Sequence, residues 1–421
     1  MEKQQLSKNE VIDLVLNRQL LNGQNNLSPG RTGIGEIISH LGYIQIDTIS
    51  VINRAHNHIL WTRNHKYSKK HLHDLQTKDK SIFEYWTHAM SYVPMEDYRF
   101  SLNRMNNFRK PKSRWIKHRY DQSKKYFKPV LERVKNEGPL SSSNFENDTG
   151  KKGGNWWDWK PAKTALEYLF WLGELMVAER RGFQKYYDLT ERVLPGNINT
   201  TLPTEEELNR FFILRALKSL GVATEKEIQK FMQPGTVDIS DMQVTKRKTM
   251  HKIINEMCEA GEIINLQIEN DKVTNYVLPE TLSNIKKRKT PSTKVHFLSP
   301  FDNLIIQRER TKRIFNFDYT IECYVPEPKR KYGYFVLPIL WKNNFIGRMD
   351  TKADRKSKQF IVNNLVFENS FNDYDGFLPR FTKELNNFAK FNNCDSIIIN
   401  KCLPSKLKSK IKTELKTIRI F

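Results

Sequence analysis

Gln45 and Asp47 flank a single apolar residue in the run Tyr43-Ile44-Gln45-Ile46-Asp47. In an extended strand alternate side chains share a face, so amide and carboxylate project together while Ile46 turns to the core. A carboxylate in that position gives negative charge to a developing cation and accepts a proton from water, and a neighbouring amide orients that water. Taken alone, Gln-x-Asp is ordinarily a turn-capping Asp beside a surface Gln, so the pair needs context. Two histidine pairs, His56 with His58 and His71 with His73, have a spacing that could share a metal on a strand. Neither has a third ligand at motif spacing, and there is no dinucleotide fingerprint, P-loop, zincin motif or cluster-binding cysteine set. Neither metal nor cofactor is therefore expected. Arg54 and His56, next to the pair, are candidates for phosphate contact or for support of Asp47, with a satisfied structural hydrogen bond as the rival. Glu84, Trp86 and His88 read as a core patch with buried polar partners.

The elements that must hold these groups belong to a strongly basic chain. Seventy Lys and Arg against 47 Asp and Glu give a net charge of +23 over 421 residues, a field that attracts polyanions, with nucleic acid first. An AT-rich genome also favours Lys, Asn and Ile, so the distribution of charge decides. It is uneven. From Tyr98 to Lys135 run Arg99, Arg104, Arg109, Lys110, Lys112, Arg114, Lys117, Arg119 and further lysines, interleaved with Trp115, Tyr120, Tyr126 and Phe127. Cations with aromatics suit phosphate contacts and packing on bases or sugars, and a solvated linker helix is the alternative. Arg308, Arg310 and Arg313, then Arg348, Lys352 and Arg355, put further charge on expected barrel strands or hairpins, where DNA contact competes with plain solubility.

Hydrophobic residues at 38% are enough for packed cores, and the length asks for about two to four compact units. Val11, Leu14, Val15 and Leu16 predict a helix over Ser7 to Leu21 with a Ser7–Glu10 cap. Ile34, Ile37, Ile38 and Leu41 predict a second, stopped by Gly42, followed by a β-rich run from Tyr43 to Ile52. Helix, turn, helix and strand is the order of a winged helix. A second unit has a helix over Lys160 to Gly173 and a hairpin over Met176 to Leu189 with Arg180, Arg181 and Gly182 at its tip; the Gly150 to Gly154 loop lacks the ending of a nucleotide cradle. A third has Leu208 to Leu217, Thr224 capping Glu225 to Phe231, Met250 to Ala260, and strands at Ile263 to Ile268 and Tyr276 to Leu278. After a basic linker at Lys286 to Lys289, strands are expected at Phe335 to Trp341, Phe345 to Met349 and Phe360 to Val366, then a tail of helix Arg380 to Phe391 and strand Ile397 to Asn400. The expected class is α+β: tandem winged-helix units over 1–125, 126–200 and 201–285, and a β-barrel-like domain over 290–421.

The segment LGYIQIDTISVINRAHNHILWTR, Leu41 to Arg63, resembles the signature of the YcaQ/AlkZ family of winged-helix DNA glycosylases, whose centre is a Gln, apolar, acidic or Gln triplet. IFEYWTHAMSYVP at Ile82 to Pro94 and the long block from Leu298 to Trp341, with its run YTIECYVPEPKRKYGYFV, agree. The likeness extends from Ser7 to about Val366. It implies three tandem winged helices and a β-barrel in a concave body that holds DNA, and a monofunctional glycosylase removing N7-alkylated guanine and related cationic purines, including cross-linked ones. Such a base already carries positive charge, so it leaves without a strong acid, and one carboxylate suffices. A winged-helix regulator fits the helices and charge equally well but has no need of Gln45 with Asp47. Cys258, Cys323, Cys394 and Cys402 are scattered and read as reduced structural thiols. No apolar run reaches the ~20 residues of a membrane span, so a cytoplasmic, nucleoid-associated monomer acting on double-stranded DNA is expected.

Overall fold

A reciprocal cap opens the first helix: the Ser7 hydroxyl accepts the Glu10 N–H at 3.3 Å while the Glu10 carboxylate accepts that of Ser7 at 2.9 Å. The computed structural model describes residues 4–23, 26–145, 160–233, 244–283, 285 and 291–418. The Gly150 to Gly154 loop and the Lys286 to Lys289 linker lie outside the described residues. Strand β1 (Gln4–Leu6) and helix α1 (Lys8–Arg18) lead into α2 (Gly30–Leu41), which ends at Gly42. Gly42 has φ 81°, and a Cβ there would sit 2.9 Å from the Arg215 side chain, so the stop depends on glycine twice over. Next come β2 (Ile44–Gln45), α3 (Ala55–Arg63), α4 (Lys69–Thr77), β3 (Ile82–Trp86) and β4 (Met90–Pro94), in a sheet ordered β2-β4-β3.

Helices α5 (Leu102–Arg109), α6 (Arg114–Ser123) and α7 (Phe127–Glu137) carry the basic stretch. A bridge pairs Leu140 with Tyr187, a 3-10 turn spans Ser142–Phe145, and α8 (Lys160–Leu172) precedes the hairpin of β5 (Leu175–Arg181) and β6 (Gln184–Leu189). After α9 (Thr190–Val193) follow α10 (Glu205–Leu220), β7 (Val222–Ala223), α11 (Glu225–Lys230), α12 (Arg247–Glu259), β8 (Ile264–Ile268), β9 (Asn275–Val277) and α13 (Pro279–Leu282). One order recurs three times: helix, strand or bridge, helix, helix, strand, strand. Each time the last strand lies in the middle of its sheet: β4 between β2 and β3, β6 between Leu140 and β5, β9 between β7 and β8.

The rest of the chain is a single mixed sheet with helices: β10 (Val295–Phe297), α14 (Arg308–Phe315), β11 (Val336–Trp341), β12 (Asn344–Asp354), β13 (Gln359–Phe367), α15 (Tyr374–Phe391), β14 (Ser396–Leu403) and α16 (Leu407–Ile418). Its order is β10-β11-β12-β13-β14, antiparallel except for the parallel pair β13 and β14, which α15 connects as a crossover. The barrel expected here is corrected. Among the described residues β10 and β14 do not meet, and α15 covers the open sheet with Phe377, Phe381, Leu385 and Phe388, all fully buried.

The helix over Ser7 to Leu21 forms, but not as the head of the unit that it precedes. β1 pairs in parallel with β8, Leu6 opposite Ile268, and the Val11, Leu14 and Val15 face of α1 packs with Val222, Leu266 and Leu304. The architecture is thus mixed α+β, built of several small sheets and one larger open one. No helix among the described residues is long and apolar enough to cross a membrane.

Candidate functional site

The β-rich run expected from Tyr43 to Ile52 is mostly loop. Only Ile44 and Gln45 pair with β4, and the Ile46 N–H still reaches the Met90 carbonyl at 2.8 Å. Beyond it the Asp47 carboxylate accepts the Ile49 N–H at 2.7 Å, a side-chain bond that outcompetes strand pairing. The apolar residues of the run then pack on the C-terminal sheet. Ala353 N–H bonds the Val51 carbonyl at 2.9 Å, the Asn392 side chain accepts the Asn53 N–H at 2.7 Å, and Arg355 donates to the Ile52 carbonyl at 2.9 Å. Loop 46–54 is therefore held on one side by β4 and on the other by the β12–β13 hairpin and the end of α15.

Within it the ordinary alternative for Gln-x-Asp is half met: Asp47 does cap a turn. Gln45, however, is buried rather than on the surface. Its Oε1 lies 3.0 Å from Nε2 of His88 in the β3–β4 turn, and its side chain is near enough to Asp47 to pull that carboxyl's pKa down. Burial, with Arg104 and Arg308 nearby, pushes the His88 pKa down to about 4, so the ring is neutral and carries its proton on Nε2 to serve a carbonyl acceptor. Its Nδ1 is left to the Thr87 hydroxyl at 3.4 Å, and its ring meets Tyr43 edge-on at 4.9 Å. Asp47 is half-buried, and desolvation raises its pKa above the usual carboxylate value against the pull of the Ile49 and Gln45 bonds.

Burial, and after it the charge of Asp47, raises the pKa of Cys323 and of Tyr324, in the 3-10 turn Glu322–Tyr324. Across His88 lies a cavity of about 900 Å³, with Tyr43, Arg308 and Tyr276 among its walls. Such a site can hold one ionised carboxylate at a partly dry surface, fix an amide against it, and accept a proton from water. The sequence alone places His88 in a core patch and Cys323 among structural thiols, and does not single out Tyr324; the pairing of Gln45 with Ser91 across β2 and β4, which brings the β3–β4 turn over Gln45, has no local signal.

A family model described as DNA glycosylase AlkZ-like matches residues 38–391. The chain belongs to this AlkZ-like DNA glycosylase family. A solved structure of Streptomyces sahachiroi DNA glycosylase AlkZ is similar to it with a TM-score of 0.63 and 14% identity, covering 94% of this chain and 100% of that one. At that identity the likeness shows the fold alone. Membership makes this chain a glycosylase of DNA, acting on N-glycosyl bonds.

Placed in this AlkZ-like glycosylase, the basic residues expected to touch DNA divide sharply. His56 is buried, with its pKa pushed down to about 3 by burial, and its ring stacks on Phe183 at 6.3 Å, so it is an uncharged core group. Arg180 is spent on the fully buried Glu84 carboxylate, at 2.6 and 2.7 Å. Arg308, Arg310 and Arg313 lie on helix α14 rather than a barrel strand. Arg308 donates to the carbonyls of Ile305 and Pro300, Arg310 to those of Leu220 and Val222, and Arg313 pairs with Glu227 and Asp271. Arg348 is buried against Glu368 and the Asp318 carbonyl. These side chains join elements of the fold. Arg109 bonds Glu174 and the Leu172 carbonyl from an exposed position, and Arg181 pairs with Glu179 while staying 60% exposed. Lys110, Lys112, Arg114, Lys352 and Arg355 are exposed. Arg54 lies over the Phe183 ring at 3.9 Å with its Nε buried and unpartnered. The histidine pairs sit on helices α3 and α4, not strands; His58 is committed to the Phe297 carbonyl at 2.8 Å.

Proposed function

We propose that this chain is a monofunctional DNA glycosylase that hydrolyses the N-glycosidic bond of N7-alkylated guanine and related cationic purines, interstrand cross-links included. The observation that carries the reading is the half-buried Asp47 carboxylate two residues from a buried Gln45 whose Oε1 is fixed by neutral His88. A transcription regulator has no use for a carboxylate fixed in this way. The N7-alkylated base leaves with the electron pair of its bond to C1′, which cancels its own positive charge and needs no acid or metal to do so. Positive charge develops on the sugar, where the Asp47 carboxylate stabilises it. Water held by Gln45 then attacks C1′ and gives its proton to Asp47, leaving an abasic sugar and neutral free base.

The threefold recurrence of one element order supports reading the units as tandem winged helices. Arg54, Lys352 and Arg355 near the site, with Arg181 and the group Arg109, Lys110, Lys112 and Arg114, are the phosphate contacts of this reading, and the enzyme acts as a monomer on nucleoid DNA in the cytoplasm. The test is incubation of the purified protein with duplexes carrying one N7-methylguanine or a mustard cross-link, followed by hot alkali. Strand cutting at the lesion above the protein-free control is expected; its absence on both duplexes ends the reading.

A further inference from the structure

Arg104 belongs to the basic stretch that the sequence marks for DNA, yet it stands only 4% exposed on α5. Its Nη1 donates to the carbonyl of Trp86, and its Nη2 to that of Met232 at 3.3 Å. Trp86 is the last residue of β3 and pairs with Met90, the first of β4, so its carbonyl lies at the base of the turn Thr87-His88-Ala89. Met232 follows α11 in the third unit and has φ 56°, a left-handed backbone uncommon for such a side chain. One planar fork thus joins the turn that carries His88 to a unit more than a hundred residues further along the chain.

The turn is tied from within as well. The Thr87 hydroxyl donates to the Ala89 carbonyl at 3.0 Å and lies 2.9 Å from the hydroxyl of Ser91, the residue opposite Gln45. The third unit reaches His88 by packing too: Phe231 meets the Tyr43 ring edge-on at 5.4 Å, and Tyr43 meets the His88 ring at 4.9 Å. A guanidinium is costly to bury, and an apolar side chain of similar volume often serves stability as well or better. What an apolar side chain lacks is the pair of donors that sets the turn against Met232.

We propose that Arg104 is a positioning residue for base release, holding the β3–β4 turn so that His88 meets Gln45. The proposal rests on the reading of Gln45 and Asp47 as the reacting pair, and adds the residue that sets the pair's geometry from α5. Arg104 touches neither DNA nor the reacting atoms; it acts through His88.

The test is a double-mutant cycle. Arg104→Lys keeps the charge but cannot span both carbonyls, and Arg104→Met removes the donors. Each is made in the unsubstituted protein and in His88→Phe, and assayed below its own melting temperature. Alone, each is expected to slow single-turnover release from an N7-methylguanine duplex about tenfold, with lesion binding within twofold and an unchanged salt slope. In His88→Phe the same change should cost less than about twofold, because the contact it serves is already gone. Full additivity overturns the proposal, and so does a salt slope shallower by roughly 0.9, the mark of a phosphate contact. If Arg104→Met does not fold, Arg104→Lys decides. A second readout needs no turnover: with isotope-labelled histidine, the His88 Nε2–H, identified by its loss in His88→Phe, should be protected from exchange and lose that protection in Arg104→Lys. Retained protection overturns the proposal. Failure of the unsubstituted protein to release base would strike the glycosylase reading instead, because exchange at His88 is scored without cleavage.

Discussion

His88 Nε2 and Gln45 Oε1 stand 3.0 Å apart, across the pairing of β2 with β4. With His88 neutral, this bond sets which end of the Gln45 amide faces Asp47. His88→Phe keeps the ring against Tyr43 and removes the donor. It is expected to slow single-turnover base release about tenfold, the order of one lost hydrogen bond, while lesion binding stays within twofold. His88→Gln, which restores a donor, should recover part of the rate; a structural role alone would move binding and melting temperature instead.

Asp47→Asn keeps an acceptor for Ile49 N–H and for Gln45 but removes the charge. Base release is expected to fall about a hundredfold or more, with lesion binding retained. Ionised Asp47 is disfavoured by its surroundings, so the fold with Asn should melt at the same temperature or higher at neutral pH. A clear drop in melting temperature would mean that the charge serves the fold.

The pH dependence has two separate origins. Asp47 acts as a base only when ionised, and its pKa is raised, so the acid limb of activity should lie above the ordinary carboxylate range and vanish in the residual rate of Asp47→Asn. Stability follows the buried histidines. His40, His58 and His88 are held down to about 4, and His56 and His296 to about 3, mainly by burial. Below the unfolded value of 6.5 the unfolded chain takes up protons that the fold refuses. Stability should be full above that value and fall steeply toward pH 4. Urea melts across this window should give a slope above about 1.4 kcal/mol per pH unit, more than one histidine can supply.

The arginines should sort by experiment as they do by geometry. Arg180→Met leaves Glu84 charged, buried and unpaired, with an expected loss of about 3–5 kcal/mol in stability. Lys352→Gln, which removes an exposed cation, should leave the melting temperature unchanged and shallow the plot of log affinity against log salt by roughly 0.9. Replacing Arg109, Lys110, Lys112 and Arg114 with Gln should weaken binding to damaged and undamaged duplex alike and reduce that slope by about two or more. An unchanged slope places the cluster off the DNA.

Local signals in the sequence carried the elements well: the Ser7 and Thr224 caps, the Gly42 stop and the Gly182 hairpin all stand where residue chemistry places them. What they did not carry is pairing over distance. Ile46 to Ile52 has strand composition, yet Asp47 bends it away and the sheet beneath takes its side chains. Arg180, Arg308 and Arg348 look like free cations until Glu84, the carbonyls of Ile305 and Pro300, and Glu368 arrive from elsewhere in the chain. Gln45 and Asp47 were legible as a pair, whereas His88 was visible only as a buried polar group, because its partner lies 43 residues away.

The parallel pairing of β1 with β8 joins Leu6 to Ile268. On the ribosome, at about 5–20 residues per second, α1 must therefore wait on the order of tens of seconds for its partner strand to emerge. Through that interval the face of Val11, Leu14 and Val15, destined to be fully covered, is open to any passing apolar surface. The segment made early is among those seated late, so this glycosylase should depend on a chaperone that shields that face during translation, and a bulky fusion ahead of Gln4 should cost yield before it costs activity.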